Sequence, residues 1–150
     1  MDMEYAEAEE ISRLIRRLAI AHRGRKVELL RRLGLQPGQD VVLMEIAAAG
    51  STSQNEIAAA AEVDEPSVGR SIARLERKGL VKRSPDRDDS RRRLVRLTPS
   101  GEELIPKLRE VYMTVATQAV GDSKDIEALK QTLQLLVDRF ELTERRRRAA

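Results

Sequence analysis

Cysteine is absent from these 150 residues, which removes disulfides, thiolate nucleophiles, cysteine-ligated zinc and thiol redox sensing together. Histidine occurs once, at His22. A multi-histidine metal site is therefore impossible, and a serine–histidine–aspartate arrangement has one candidate base. Aromatic residues make up 2% of the chain, too few to build the stacking platforms that hold single-stranded nucleic acid. No apolar run reaches transmembrane length, and the acidic, Glu-rich start lacks the basic and apolar pattern of a secretory signal. These absences lead to the expectation of a cytoplasmic, non-membrane, non-enzymatic chain without metal or cofactor. Its length suits a single domain, 1–150, with a real hydrophobic core.

What the chain does have is an uneven distribution of charge. The formal net charge is +3, but residues 1–64 hold eight basic and eleven acidic side chains, whereas residues 65–96 hold eleven basic and five acidic. Residues 97–150 hold nine of each. A positive excess confined to one stretch is the footprint of a module that docks on a phosphate backbone. A merely solvated surface would mix the signs.

The hydrophobic pattern predicts mostly helix. Residues 4–33 carry Ile11, Leu14, Ile15 and Leu18 at helical spacing, with Gly24 marking a bend midway and Gly34 a stop. Pro37 is expected to open a second helix over 37–49. Ser53-Gln54-Asn55-Glu56 reads as a capping box before a short helix through Ala61. Asp64 then caps a helix over 65–78, with Pro66 in its first turn and Val68, Ile72 and Leu75 on one face. Two short strands, 80–84 and 93–97, flank a polar hairpin tip at 85–92. Thr98-Pro99 starts a fifth helix that Pro106 is expected to kink. Gly121 ends it, and Asp122 starts a sixth with Ile126, Leu129, Leu133, Leu136 and Phe140 on one stripe. The chain closes with the arginine run 145–148, read as a frayed, solvated tail. The fold class is mainly α with a small β-hairpin wing: a winged helix-turn-helix at 37–97 flanked by dimerisation helices at 4–35 and 98–145. The apolar stripes of the first, fifth and sixth helices exceed what a small winged helix covers, so a homodimer is expected.

The run from Leu35 to Leu104 resembles the MarR family of bacterial regulators. The likeness rests on Ser53-Gln54-Asn55-Glu56-Ile57-Ala58, on Val68 through Val81, and on the hairpin running into Leu97-Thr98-Pro99-Ser100-Gly101. Counted back from Thr98, Asp86, Asp89 and Arg91 occupy the wing positions where that family has Asp, Asp and Arg. Gly69 and Pro66 depart from the pattern, since the family usually has a small polar or polar residue at each. The resemblance implies a transcriptional regulator, a repressor, bound as a homodimer to a pseudo-palindromic double-stranded operator. Half-sites would lie about one DNA turn, roughly 10 bp, apart.

In such a motif the N-terminal half of the second helix enters the major groove and the wing straddles the backbone. Ser67, Arg70, Ser71 and Arg74 lie on that helix. Arg70 is the candidate for a fork on guanine, though it also fits as a phosphate contact alone, and Arg74 is the candidate for a phosphate. Ser53 and Gln54 offer a phosphate contact at the third helix, although Ser53 also fits as a cap alone. The resemblance implies that Arg91 enters the minor groove while Asp89 braces the wing, with an arginine as its candidate partner. Arg87, Arg92 and Arg93 fit either as generic phosphate contacts or as solvated charge. It further implies a small anionic or phenolic effector, for which Arg16, His22, Tyr112 and Met113 are the candidates. His22 also fits as a surface residue and Tyr112 as core. Two other readings stay open: an architectural DNA protein without a dedicated operator, and a winged helix reused for protein interaction.

Overall fold

The computed structural model describes residues 3–89, 91–122 and 124–149, with side chains followed through Thr143. Elements run α1 (Tyr5–Arg32), α2 (Gln39–Ala49), β1 (Thr52–Ser53), α3 (Gln54–Ala61), α4 (Glu65–Arg77), β2 (Val81–Pro85), β3 (Arg93–Leu97), α5 (Pro99–Val120) and α6 (Ile126–Ala149). One compact unit ends at Val115, and a second, Ala116–Ala150, carries α6.

In the first unit, α2, α3 and α4 pack around Leu43, Ile46, Ile57, Ile72 and Leu75, all essentially inaccessible to solvent. The sequence pattern explains α4: Val68, Ile72 and Leu75 recur on one face and are buried, while Arg70, Arg74 and Arg77 stay exposed. Each such aliphatic side chain contributes about 2 kcal/mol by leaving water. Leu30 from the end of α1, Leu35 from the loop after it, and Ile105, Leu108 and Val111 from α5 complete this core.

The sheet has order β1-β3-β2, all antiparallel, with Thr52 opposite Val95 and Val81 opposite Leu97. The wing therefore has a third strand that the sequence pattern did not announce. Its two residues precede the α3 cap and tie the base of the hairpin to the helix-turn-helix. The turn into α5 is equally constrained. The Thr98 N–H bonds the Leu80 carbonyl at 3.0 Å, the Thr98 hydroxyl accepts the Gly101 N–H at 3.1 Å, and a Cβ on Gly101 would collide with the Leu80 carbonyl oxygen. That close approach is why glycine follows the Thr-Pro-Ser start.

Two boundary expectations need correction, whereas α1 runs unbroken through Gly24 as one helix, the glycine's penalty of roughly 1 kcal/mol being too small to stop it. α2 begins at Gln39, not Pro37, because Gly38 takes φ 89° at the N-cap and its N–H bonds Asp40 Oδ1 at 3.0 Å. α6 starts at Ile126, not Asp122, and Asp125 Oδ1 accepts the Ala128 N–H at 2.9 Å.

Candidate nucleic-acid interface

The capping residues set the start of both helices of the helix-turn-helix. Glu56 Oε2 accepts the Ser53 N–H at 2.8 Å and the Ser53 and Thr52 hydroxyls at 3.0 Å each. Together with Arg92 these bonds, the Ser53 backbone bond foremost, hold the Glu56 carboxyl at a pKa of about 2. At α4, Asp64 Oδ1 accepts the Ser67 N–H at 2.9 Å, and hydrogen bonds from Ser67 keep the Asp64 carboxyl below its ordinary range. Both capping residues are thus ionised at neutral pH, and both helices begin where the sequence reading placed them.

Arg70 projects from the first half of α4, exposed, with Nη2 donating to the Ser67 hydroxyl at 2.7 Å. On the wing, Arg87, Arg91 and Arg93 are exposed and have no acidic partner within ion-pair distance among the described residues. Asp89 braces the tip through backbone and, among the described residues, has no arginine side chain as ion-pair partner: Oδ1 accepts the Arg91 N–H at 3.0 Å and its carbonyl accepts the Arg92 N–H at 2.9 Å. Ser90, between them, lies outside the described residues. A cleft lined by Ser53, Gln54, Glu65 and Arg91 joins the starts of α3 and α4 to the wing.

Other expected contact residues are engaged within the protein. The Arg92 guanidinium bonds Glu56 Oε1 and lies 3.6 Å from Asp86 Oδ2. Gln54 turns toward α4, where its amide donates to the Glu65 carbonyl at 3.3 Å and to Glu65 Oε1 at 3.4 Å. Gly69 makes room for that amide, since a Cβ there would stand 2.9 Å from Gln54 Nε2. Arg74 bonds Gln36 Oε1 at 2.8 Å, tying α4 to the loop before α2. Ser71 is half-buried on the Gly38 side of α4.

Among the effector candidates, Arg16 and His22 are exposed on α1, and Met113 is 66% exposed on α5. Tyr112 has polar partners, but they are residues that the sequence reading passed over: its hydroxyl donates to Asp40 Oδ2 at 2.9 Å, and Lys26 Nζ lies 4.7 Å from the ring centre. Asp40 is fully buried in the first turn of α2, just before the apolar run 41–44. An acid directly before such a run is the signal that could have found this cluster. The side chains of the arginine run 145–148 lie outside the described residues.

With three helices, a three-stranded wing and a basic exposed face in place, the comparisons with known proteins converge. The model of the MarR family matches residues 28–92. Over those residues the chain is similar to the MarR family. An 80-residue stretch is 32% identical to a putative transcriptional regulatory protein for the hcr operon of Thauera aromatica, spanning 53% of this chain and 48% of that protein. The match thus covers about half the length of the curated relative. A probable transcriptional regulator from Pseudomonas aeruginosa is 27% identical with a TM-score of 0.66, covering 82% of this chain and 93% of that one. A mutant MarR from E. coli, solved in complex with operator DNA, superposes with a TM-score of 0.76 at 23% identity, covering 90% and 99% of the two chains. No described helix is long and apolar enough to cross a membrane.

Proposed function

We propose that this chain is a MarR-type, sequence-specific transcriptional regulator of double-stranded DNA, acting as a repressor. The observation that carries the reading is the set of exposed arginines on one working surface: Arg70 on the first half of α4, and Arg87, Arg91 and Arg93 on the wing. A helix presenting Arg70 to base edges and a hairpin presenting Arg91 to a narrow minor groove supply readout in two grooves. Ser67 orients Arg70 and contacts backbone. The neighbouring MarR of E. coli was solved with operator DNA, which supports the same use of this fold.

The functional unit is a homodimer on a pseudo-palindromic site with half-sites about 10 bp apart. α1 supports this, because Ile11, Leu14, Ile15 and Leu18 are 36–54% exposed. Release by a small anionic or phenolic molecule completes the proposal. Tyr112, held at the surface beside Lys26, is the best placed of the residues considered for it, ahead of Arg16, His22 and Met113.

The reading is tested by titrating the full chain against a duplex it has itself selected from a randomised pool, at fixed salt. Arg70→Ala and Arg91→Ala should each weaken binding by about tenfold or more, the worth of one good base contact. Equal affinity of the wild-type chain for selected and random duplex would overturn the proposal in favour of an architectural protein.

A further inference from the structure

Arg92 is the one described wing arginine facing two carboxylates, and these come from different parts of the fold. Nη2 bonds Glu56 Oε1 on the first turn of α3, while Nη1 lies 3.6 Å from Asp86 Oδ2 within the wing. The two oxygens of Glu56 divide the work. Oε2 is taken up by the Ser53 N–H and the Ser53 and Thr52 hydroxyls, leaving Oε1 for the arginine. Asp86 is fixed too: Oδ1 accepts the Asp88 N–H at 3.1 Å, and its own N–H donates to the Arg92 carbonyl at 2.9 Å.

We propose that Arg92 is a positioning residue that latches the wing to the start of α3, and does not neutralise a DNA phosphate. The inference rests on the DNA-binding reading above and deepens it. One guanidinium between two carboxylates leaves the cluster with a local formal charge of −1, so a phosphate brought there is repelled. Arg91, next in the chain, has its N–H pinned by Asp89 while its guanidinium has no carboxylate within ion-pair distance among the described residues.

The latch also sits where the wing needs it. Pairing of β1 with β3 ends at Ser53 opposite Leu94. Beyond that register the β2–β3 hairpin has only its own ladder, through Pro85 opposite Arg93. The Arg92 contact is the next tie along the wing, and it holds Arg91 at a set distance from α4. Glu56 is ionised throughout the working pH range, so the latch is not switched by pH there.

The test compares Glu56→Gln, Arg92→Gln and Arg92→Lys with wild type, using the selected duplex, a random duplex and a salt series. Glutamine at 56 keeps an acceptor for the helix cap, as capping boxes allow, but presents no carboxylate to Arg92. The latch predicts that Glu56→Gln weakens binding to the selected duplex by about tenfold, as expected when one base-reading arginine is misplaced. That loss would come despite the added positive charge. Arg92→Gln should lose a similar factor, and the double variant no more than either alone, with the slope of log K against log salt unchanged throughout. Arg92→Lys, which keeps the charge but not the fork, should lose part of the affinity, again without a change of slope.

If Arg92 instead contacts phosphate, Glu56→Gln frees it and binding tightens. Arg92→Gln then lowers the slope by about 0.9. Either result overturns the latch. Should Glu56→Gln fail to fold, the salt slopes of the two Arg92 variants decide alone. A wild-type chain that does not prefer the selected duplex defeats the DNA reading itself, a separate outcome from a wild type that discriminates while Glu56→Gln binds more tightly.

Discussion

The Lys26 ammonium lies 2.6 Å from Asp40 Oδ2, an ion pair from the end of α1 to the start of α2. The same oxygen accepts the Tyr112 hydroxyl from α5, so one buried carboxylate joins three helices. Lys26→Met removes the cation and keeps the aliphatic stem, leaving the Asp40 charge buried with Tyr112 and the Gly38 N–H as partners. Breaking a fully buried pair costs 3–5 kcal/mol. Lys26 keeps part of its side chain in water, so roughly 2 kcal/mol is expected here. Urea unfolding at neutral pH measures it, and a loss within error of zero would show that the pair does not hold the helices.

The same cluster sets an alkaline limit on stability. Burial, the largest influence on Lys26, disfavours its ammonium, but the hydrogen bond and charge of Asp40 outweigh burial and raise its pKa above 10.5. The Tyr112 pKa is raised above 10.0 by burial first, then by the Asp40 charge. In both cases the folded state holds the proton more tightly. Their contribution is complete below the unfolded values and lost as pH rises through the folded ones. Stability should be flat around neutrality from this source and fall above about pH 10. Lys26→Met with Tyr112→Phe should flatten that fall, as read from unfolding midpoints across pH 8–11; an unchanged slope counts against the assignment.

Gly69 and Gln54 illustrate a packing choice between the two helices of the motif. Gly69→Ala gains helix propensity of about 1 kcal/mol but must displace the Gln54 amide from its seat against Glu65. Those amide bonds are long, 3.3 and 3.4 Å, and the side chain is flexible, so displacement is cheap. The variant should be as stable as wild type or better. In a Gln54→Ala background the full gain of about 1 kcal/mol should appear. Thermal unfolding of the four proteins in this cycle checks the coupling, and a loss above about 1.5 kcal/mol on Gly69→Ala alone would contradict it.

Much of this was legible because the signals are local. Ser53 with Glu56, Asp64 with Pro66, and Thr98-Pro99 mark helix starts through bonds that close within a few residues, and all three appear as read. Gly38 was missed because Pro37 beside it is the stronger start signal, yet the left-handed turn at Gly38 sets the boundary. β1 was missed because two residues carry no alternation, and its existence depends on pairing with Leu94 and Val95 far along the chain. The candidate site divides the same way. The exposed Arg70 and Arg91 follow from helix face and hairpin position. The engagement of Arg92 by Glu56, or of Tyr112 by Lys26 and Asp40, is fixed only when distant segments fold together.

The exposed half of α1 leads to the final prediction. Residues 5–24 are exposed except for the partly covered Ala8, and only the last two turns enter the core. An unpacked helix of that length is marginal in water, and its stripe of Ile11, Leu14, Ile15 and Leu18 needs apolar cover. A second copy supplies it in the proposed homodimer. Leu14→Glu with Leu18→Glu should then shift the chain from dimer to monomer at micromolar concentration in sedimentation, with loss of helical signal. Binding to the selected duplex should fall by far more than any single arginine substitution, because two half-sites can no longer be held together. A wild-type chain that already sediments as a monomer, or a double variant that stays dimeric, removes α1 from the interface.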